Sequence, residues 1–365
     1  MKKIIVVICG IIIISYVSIY YLSENKDTDI NKQWYIDNDG ICEEVSVDHD
    51  YCDIYSFKKD VDLNIKPIWK KKYKKQNEVV VAVIDTGIDF SHEDLVEVKW
   101  ENKKEIPYDG VDNDNNGFVD DINGWNFCDN NNDLTSFKEE KYENDHGTLE
   151  AGIIAAKHNK IGIAGIAGNC NVKIMNVKIL EGLQHEGSVE NLIKGIKYAE
   201  DNGALICNLS LGFPFENDQL KKVMEESKML FITSAGNDNT NLDKEKVYPA
   251  CYDLDNQITV ASLGFDGKKE TNSNYGKYTV DVGAPGAYIY STSTDGYDYE
   301  SGTSMSAAMV SGISALIYAH TDNIEAVEVK KYICQNIEEK SEWADLVKTG
   351  GYVDAKKIIN KAIKR

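Results

Sequence analysis

Residues 79–84, Val-Val-Val-Ala-Val-Ile, form an unbroken apolar run that ends on Asp85-Thr86-Gly87. A run this short and this rich in β-branched side chains predicts a strand buried on both faces, because a half-solvated strand would alternate with polar residues. Such a strand needs cover above and below. The chain that follows supplies it: further strands are expected at 172–179, 204–209 and 229–234, with helices between them. Ser188 is placed to cap a helix on which Leu192, Ile193, Ile196 and Ala199 share a face, and Gly203 is placed to end it. A second helix is expected near 218–228, a long apolar one after Ser304 and another near 324–337. Alternation at these lengths implies right-handed crossovers, and so an α/β fold with a mostly parallel central sheet and helices on both faces. With 365 residues, 42% of them hydrophobic, the chain can form one large domain of this kind with an appendage.

Three short blocks carry the chemistry: Val-Ala-Val-Ile-Asp-Thr-Gly (81–87), Asp-His-Gly-Thr (145–148) and Ser-Gly-Thr-Ser-Met-Ser-Ala (301–307). In chain order they offer Asp85, His146 and Ser304: an orienting carboxylate, a general base and a nucleophile, the minimum for acyl transfer through a covalent intermediate. Taken singly, Asp85 closes a strand turn, His146 is a surface or capping histidine and Ser304 is a helix cap. Taken together, they predict a serine peptidase. Ser234-Ala235-Gly236-Asn237 follows a strand, so Asn237 is expected at the carboxyl edge of the sheet, where sites gather in such folds. There its amide and the Ser304 backbone N–H would hold an oxyanion.

These blocks resemble those of the subtilisin-like serine peptidases, the subtilases, and the likeness spans about residues 33–365. Gln33-Trp34-Tyr35-Ile36-Asp37-Asn38-Asp39-Gly40 resembles the family's lead-in, and Leu63-Asn64-Ile65 with Trp69 the segment before the first strand. Tyr248-Pro249-Ala250 and Ala284-Pro285-Gly286 resemble further family turns. The resemblance implies a three-layer subtilisin-like fold, catalytic roles for Asp85, His146 and Ser304, and an oxyanion role for Asn237. It also implies that Ser210-Leu211-Gly212 pairs with the substrate backbone as an added strand. Asp238 beside Asn237 would favour a basic or polar substrate side chain. No metal or organic cofactor is expected in the chemistry itself.

Two positions depart from the family pattern. Leu149-Glu150 stand where relatives carry a second His and then a small apolar residue, and Ala308 replaces a Pro in the nucleophile helix. Glu150 lies one helical turn after His146. The simpler expectation turns it to solvent or to a nearby cation; the alternative buries it, where it would raise the His146 pKa or itself stay protonated.

Residues 101–145 are rich in Asn, Asp and Gly and read as a long surface insertion. Within it Asp112, Asp114, Asn116 and Asp120, with the Phe118 carbonyl, follow the first half of a calcium loop, although position twelve is Asn123 rather than Glu. A structural Ca2+ is the expectation.

Lys2 and Lys3 precede residues 4–22, an uncharged stretch that as a helix would be about 28 Å long, enough to cross a bilayer. An uncleaved membrane anchor and a cleaved signal peptide both fit. Tyr16, Tyr20 and Tyr21 stand where a cleavage site would want small residues, which favours the anchor. Residues 1–3 would then be cytoplasmic, 23–32 a juxtamembrane linker and 33–365 an extracellular catalytic domain. The reading is thus a bacterial, membrane-anchored subtilase. Little room for an inhibitory propeptide separates Leu22 from Asp85, which makes a dedicated processing peptidase an attractive role. The net charge is −20, and −22 once the two lysines are set aside, which excludes nucleic acid as a natural partner and suits a peptide or protein substrate. Seven of the eight cysteines lie beyond the apolar stretch. Cys42 and Cys52 could close a loop, while Cys170, Cys207 and Cys251 are expected as buried thiols. A catalytically silent peptide-binding relative is the rival reading; an adhesion module would need repeats that the chain lacks.

Overall fold

β1 (Val79–Asp85) is buried along its whole length, and its side chains divide with the period of two that a strand imposes. Val79, Val81 and Val83 enter one apolar cluster, Val80, Ala82 and Ile84 another. Both faces of the sheet are therefore covered, as the unbroken valine run requires. The computed structural model describes residues 27–40, 57–74, 76–134, 145–181 and 186–363. The apolar stretch 4–22 and the Cys42 and Cys52 segment lie outside these residues.

Along the chain come β2 (Gly124–Asn126), β3 (Val172–Lys178), a small ladder of β4 (Leu180–Glu181) with β5 (Glu186–Gly187), then β6 (Ile206–Leu209) and β7 (Leu230–Ser234). β8 (Gln257–Leu263) and β9 (Val282–Pro285) extend the sheet. β10 (Ile289–Ser293) and β11 (Gly296–Glu300) form a separate hairpin, and β12 (Ile337–Glu339) and β13 (Gly351–Val353) close the far edge. The sheet order is β12-β13-β9-β8-β7-β6-β1-β3-β2, parallel throughout except for the β12–β13 pair. Besides a single helical turn at Lys66–Trp69, the helices are α1 (Asp145–Ala155), α2 (Val189–Asp201), α3 (Asp218–Glu226), α4 (Thr303–His320), α5 (Ala326–Gln335) and α6 (Ala355–Ala362). α1 and α4 pack into the first cluster, α2 and α3 into the second, giving three layers.

Local signals account for the helix ends. Ser188 Oγ accepts from Asn191 N at 3.1 Å, and Gly203 follows the end of α2 with φ +83°. α4 is buried from Thr303 to Ala319, so it can afford no polar face.

Three expectations change. The stretch expected as a surface insertion contributes β2, the outer strand of the main sheet, with Trp125 and Phe127 buried beside it. Residues 27–32, expected as linker, are docked on the domain: Asp27 is buried and accepts from Lys160 N at 2.7 Å, and Lys32 Nζ donates to Tyr290 Oη at 3.1 Å. Cys251 is only part-buried, whereas Cys170 and Cys207 are buried thiols as expected. Among the described residues no helix is long and apolar enough to cross a membrane.

Candidate active site

Parallel strands present all their carboxyl ends at one edge, and the groups singled out from the sequence gather there. Asp85 is the last residue of β1 and is buried. Its Oδ1 accepts from Thr86 N at 2.7 Å and pairs with His146 Nδ1 at 2.9 Å. His146 is the second residue of α1, with 18% of its side chain open to solvent. The two elements meet because residue 147 is glycine: a Cβ there would lie 2.3 Å from the Gly87 carbonyl oxygen. The contact is secured by Gly147 N donating to Thr86 Oγ1 at 3.3 Å and Asp89 N donating to Thr148 Oγ1 at 3.0 Å.

Ser304 is the second residue of α4, in the first turn, whose N–H groups an α-helix leaves without an internal partner. It lines a cleft of about 220 Å3 together with Ser210, Leu211, Gly212, Gly236, Asn237 and Asp238. Asn237 follows β7 and is tied to the residue before Ser304: its Oδ1 accepts from Thr303 N at 2.9 Å and from Thr303 Oγ1 at 3.0 Å. With its oxygen held there, the amide nitrogen Nδ2 is left on the side of Gly302, where a Cβ would stand 3.1 Å from it. A side chain at 302 would crowd the donor.

Sequence reasoning missed several supports. Thr303 Oγ1 also accepts from Gly236 N at 2.9 Å, locking the turn before Asn237. Asn274, fully buried, donates from Nδ2 to Ala235 O at 2.9 Å and accepts from Asp238 N and Thr240 N at 3.0 and 2.7 Å. It lies in a turn-rich stretch with no local mark of its role. Gly286 in Ala284-Pro285-Gly286 lets the α4 entrance close in: a Cβ would meet Ser306 Oγ at 2.1 Å. Ala308, where a Pro was expected, is buried within α4.

Glu150 overturns the simpler expectation. It is fully buried, and ligand atoms of Asp85, His146 and Glu150 all lie within 4.8 Å of one another. The helical spacing that puts residues 146 and 150 on one face here turns both toward the sheet edge. Burial disfavours the imidazolium, yet the Asp85 carboxylate, by charge and hydrogen bond, and then Glu150 and Glu300 raise the His146 pKa above its ordinary value. Glu150 also titrates above the usual carboxylate range, through burial first and the Asp85 charge second; His146, Ser210 and Asn208 pull it back.

In the acidic loop, carboxylate oxygens of Glu105, Asp112 and Asp114 lie within 4.8 Å of one another, an arrangement of hard donors that fits a calcium ion. Glu105 precedes the loop pattern and was missed for that reason. Asp112 accepts from Asn116 N and Gly117 N at 3.0 and 2.8 Å, and Asn116 Oδ1 accepts from Phe118 N at 2.8 Å. Asp120 accepts on Oδ1 from Asp109 N and on Oδ2 from Gly110 N at 3.2 and 3.0 Å and is not one of the three clustered carboxylates.

Known proteins share this framework. Subtilisin-like protease 1 of Plasmodium berghei (strain Anka) is 30% identical over 306 residues, covering 78% of this chain and 50% of its own length. The major intracellular serine protease of Bacillus subtilis (strain 168) is 35% identical over 263 residues, covering 70% and 72%. Relatives thus come from Plasmodium as well as from a bacterium, and the likeness assigns no bacterial source. The chain spans about half the length of the Plasmodium relatives it matches. Among solved structures, one described as proteases from Pseudoalteromonas arctica PAMC 21717 superposes with a TM-score of 0.66 at 23% identity, covering 93% of this chain and 99% of that one, a likeness of fold. The model of the Subtilase family matches residues 76–353, which contain every group gathered at the sheet edge. The chain belongs to the subtilase family.

Proposed function

We propose that this chain is a serine endopeptidase that works through Asp85, His146 and Ser304. The observation that carries the reading is the 2.9 Å Asp85–His146 pair at the same sheet edge as a cleft where Asn237 is tethered to the residue before Ser304. An extended peptide lies along Ser210-Leu211-Gly212 as an added strand, with its scissile carbonyl over Ser304. Ser304 Oγ attacks the carbonyl carbon while His146 Nε2 takes the hydroxyl proton. Asp85 holds Nδ1–H and so fixes the tautomer that leaves Nε2 free to accept. The tetrahedral oxyanion is held by Asn237 Nδ2 and the Ser304 N–H. His146 then gives its proton to the leaving amine, and water repeats the sequence to release the acyl group.

Residues 4–22 support, by length and apolarity, a placement of this unit outside the cytoplasmic membrane, where it trims a secreted peptide or protein. Ca2+ held by Glu105, Asp112 and Asp114 would stiffen the loop before β2 and take no part in bond cleavage.

The test is active-site labelling with a fluorophosphonate. The wild-type chain should label covalently, Ser304→Ala should not, and Asn237→Ala should lower turnover by about 10²–10³-fold. A folded wild-type chain that stays unlabelled across neutral and alkaline pH would make it a silent, peptide-binding member instead.

A further inference from the structure

A carboxyl group sits beneath the proposed general base, and family chemistry gives it no task. Glu150 lies one turn along α1 from His146 and is fully buried. Its Oε2 accepts from Asn208 Nδ2 at 3.0 Å, while Oε1 is buried with no hydrogen-bond partner among the described residues. Asn208, near the end of β6, also donates weakly to Ser210 Oγ at 3.4 Å and accepts on Oδ1 from Ser311 Oγ of α4 at 2.7 Å. Ser210 opens the segment on which a substrate would pair, and it lines the cleft beside Ser304. Glu150 therefore joins three parts of the site: the imidazole, the helix carrying Ser304, and the substrate edge.

We propose that Glu150 is a positioning residue that acts through His146, holding a second carboxyl beside the imidazole and thereby setting the pH at which the general base becomes available. The proposal rests on the serine endopeptidase reading and adds a regulatory group to it. Among the described residues, the charge of opposite sign that bears on Glu150 is that of His146. β1 presents Asp85, of like charge; β6 and the residue after it present the neutral Asn208 and Ser210; α4 presents Ser311. Glu300 at the end of β11 adds a further negative charge felt by His146. The buried Lys178 of β3 turns its Nζ to the carbonyls of Thr86, a bond of 2.5 Å, and Leu180, at 3.1 Å. An isolated carboxylate is costly in such a place and an isolated imidazolium equally so, which makes the two share protons as a pair.

The sign follows directly. A negative Glu150 stabilises the imidazolium, so the neutral imidazole needed for attack is reached at higher pH than Asp85 alone would set. Removing the charge should let His146 lose its proton sooner. For charges under 4.8 Å apart, a protein dielectric near ~20 and partial ionisation of Glu150 put the shift at about one to two pH units.

The experiment uses the full chain and two variants, Glu150→Gln, which keeps the bond from Asn208, and Glu150→Val, which restores a small apolar side chain. The acid limb of kcat/KM is measured on a fluorogenic peptide, and the His146 imidazole is titrated by 15N NMR. In either variant that folds, both readouts should move to lower pH by about one to two units. A structural role alone would change the melting temperature and leave the limb in place. An imidazole midpoint unchanged in Glu150→Gln overturns the proposal. Absence of fluorophosphonate labelling in the wild type would overturn the peptidase reading instead, and the NMR titration would still decide whether Glu150 governs the imidazole.

Discussion

At Gly147 the backbone of α1 packs against the Asp85 turn with no room for a side chain, and replacing that glycine by alanine should disable the site from one atom away. The added Cβ would start 2.3 Å from the Gly87 carbonyl oxygen. Carbon and carbonyl oxygen normally stay about 3.3 Å or more apart, so the first turn of α1 must withdraw by roughly 1 Å. The Asp85 carboxylate cannot follow, because its Oδ1 is held by Thr86 N at 2.7 Å and β1 is locked between β3 and β6. The 2.9 Å His146–Asp85 bond would then stretch toward about 3.9 Å, outside hydrogen-bonding range. A catalytic group misplaced by that much costs about 10²-fold, and full loss of the orienting carboxylate about 10⁴-fold. We expect Gly147→Ala to lower kcat between those limits with KM little changed, since nothing on the cleft wall moves. Hydrolysis of a fluorogenic peptide gives both constants, and far-UV circular dichroism shows whether the chain is folded. A folded Gly147→Ala enzyme with kcat within about threefold of wild type would refute the argument that this glycine sets the Asp–His distance.

Two further outcomes follow from the cleft and the acidic loop. Asp238 is exposed on the cleft wall, so a peptide library should show a preference for Lys or Arg that weakens in Asp238→Ser; an unchanged profile would remove Asp238 from the specificity determinants. Ca2+ at a hundred times its dissociation constant should stabilise the fold by about 2.7 kcal/mol, read as a calcium-dependent rise in melting temperature that EDTA reverses and Glu105→Gln diminishes. A melting curve indifferent to both calcium and chelator would show that the three carboxylates hold no ion.

The parts of this molecule that could be read from its sequence are those where one local pattern carries the whole cause. The valine run before Asp85 has no solvated side, so it could only be an inner strand. Ser188 and Gly203 bracket α2 by capping chemistry that acts within four residues. What escaped depends on partners distant in sequence. β8 holds the side chains of Gln257 and Thr259 inside, because Gln257 Nε2 donates to Pro249 O and Thr259 Oγ1 donates to Ala250 O, each at 2.8 Å. Polar residues with such partners do not announce a buried strand. β2 is three residues long in a stretch of turn formers. Glu150 was misjudged for the same reason: glutamate on a helix belongs in water unless something far away, here Asn208, receives it. Glu105 stands outside the spacing that marks the acidic loop, and only folding brings it to Asp112 and Asp114.

The outer strand β2 carries a consequence for anyone who would trim this protein to a smaller catalyst. Residues 101–134 look dispensable, a polar loop hung on a standard scaffold, yet they cover the flank of β3 and turn back on themselves through the reciprocal Asn126–Asn131 backbone pair. Cutting them out would lay bare the outward amides and carbonyls of β3 from Asn176 to Lys178, ready to join the same edge of a second molecule. A shortened version should therefore clump before the Asp85–His146 pair is lost, and a replacement loop would have to bring an edge-blocking strand of its own.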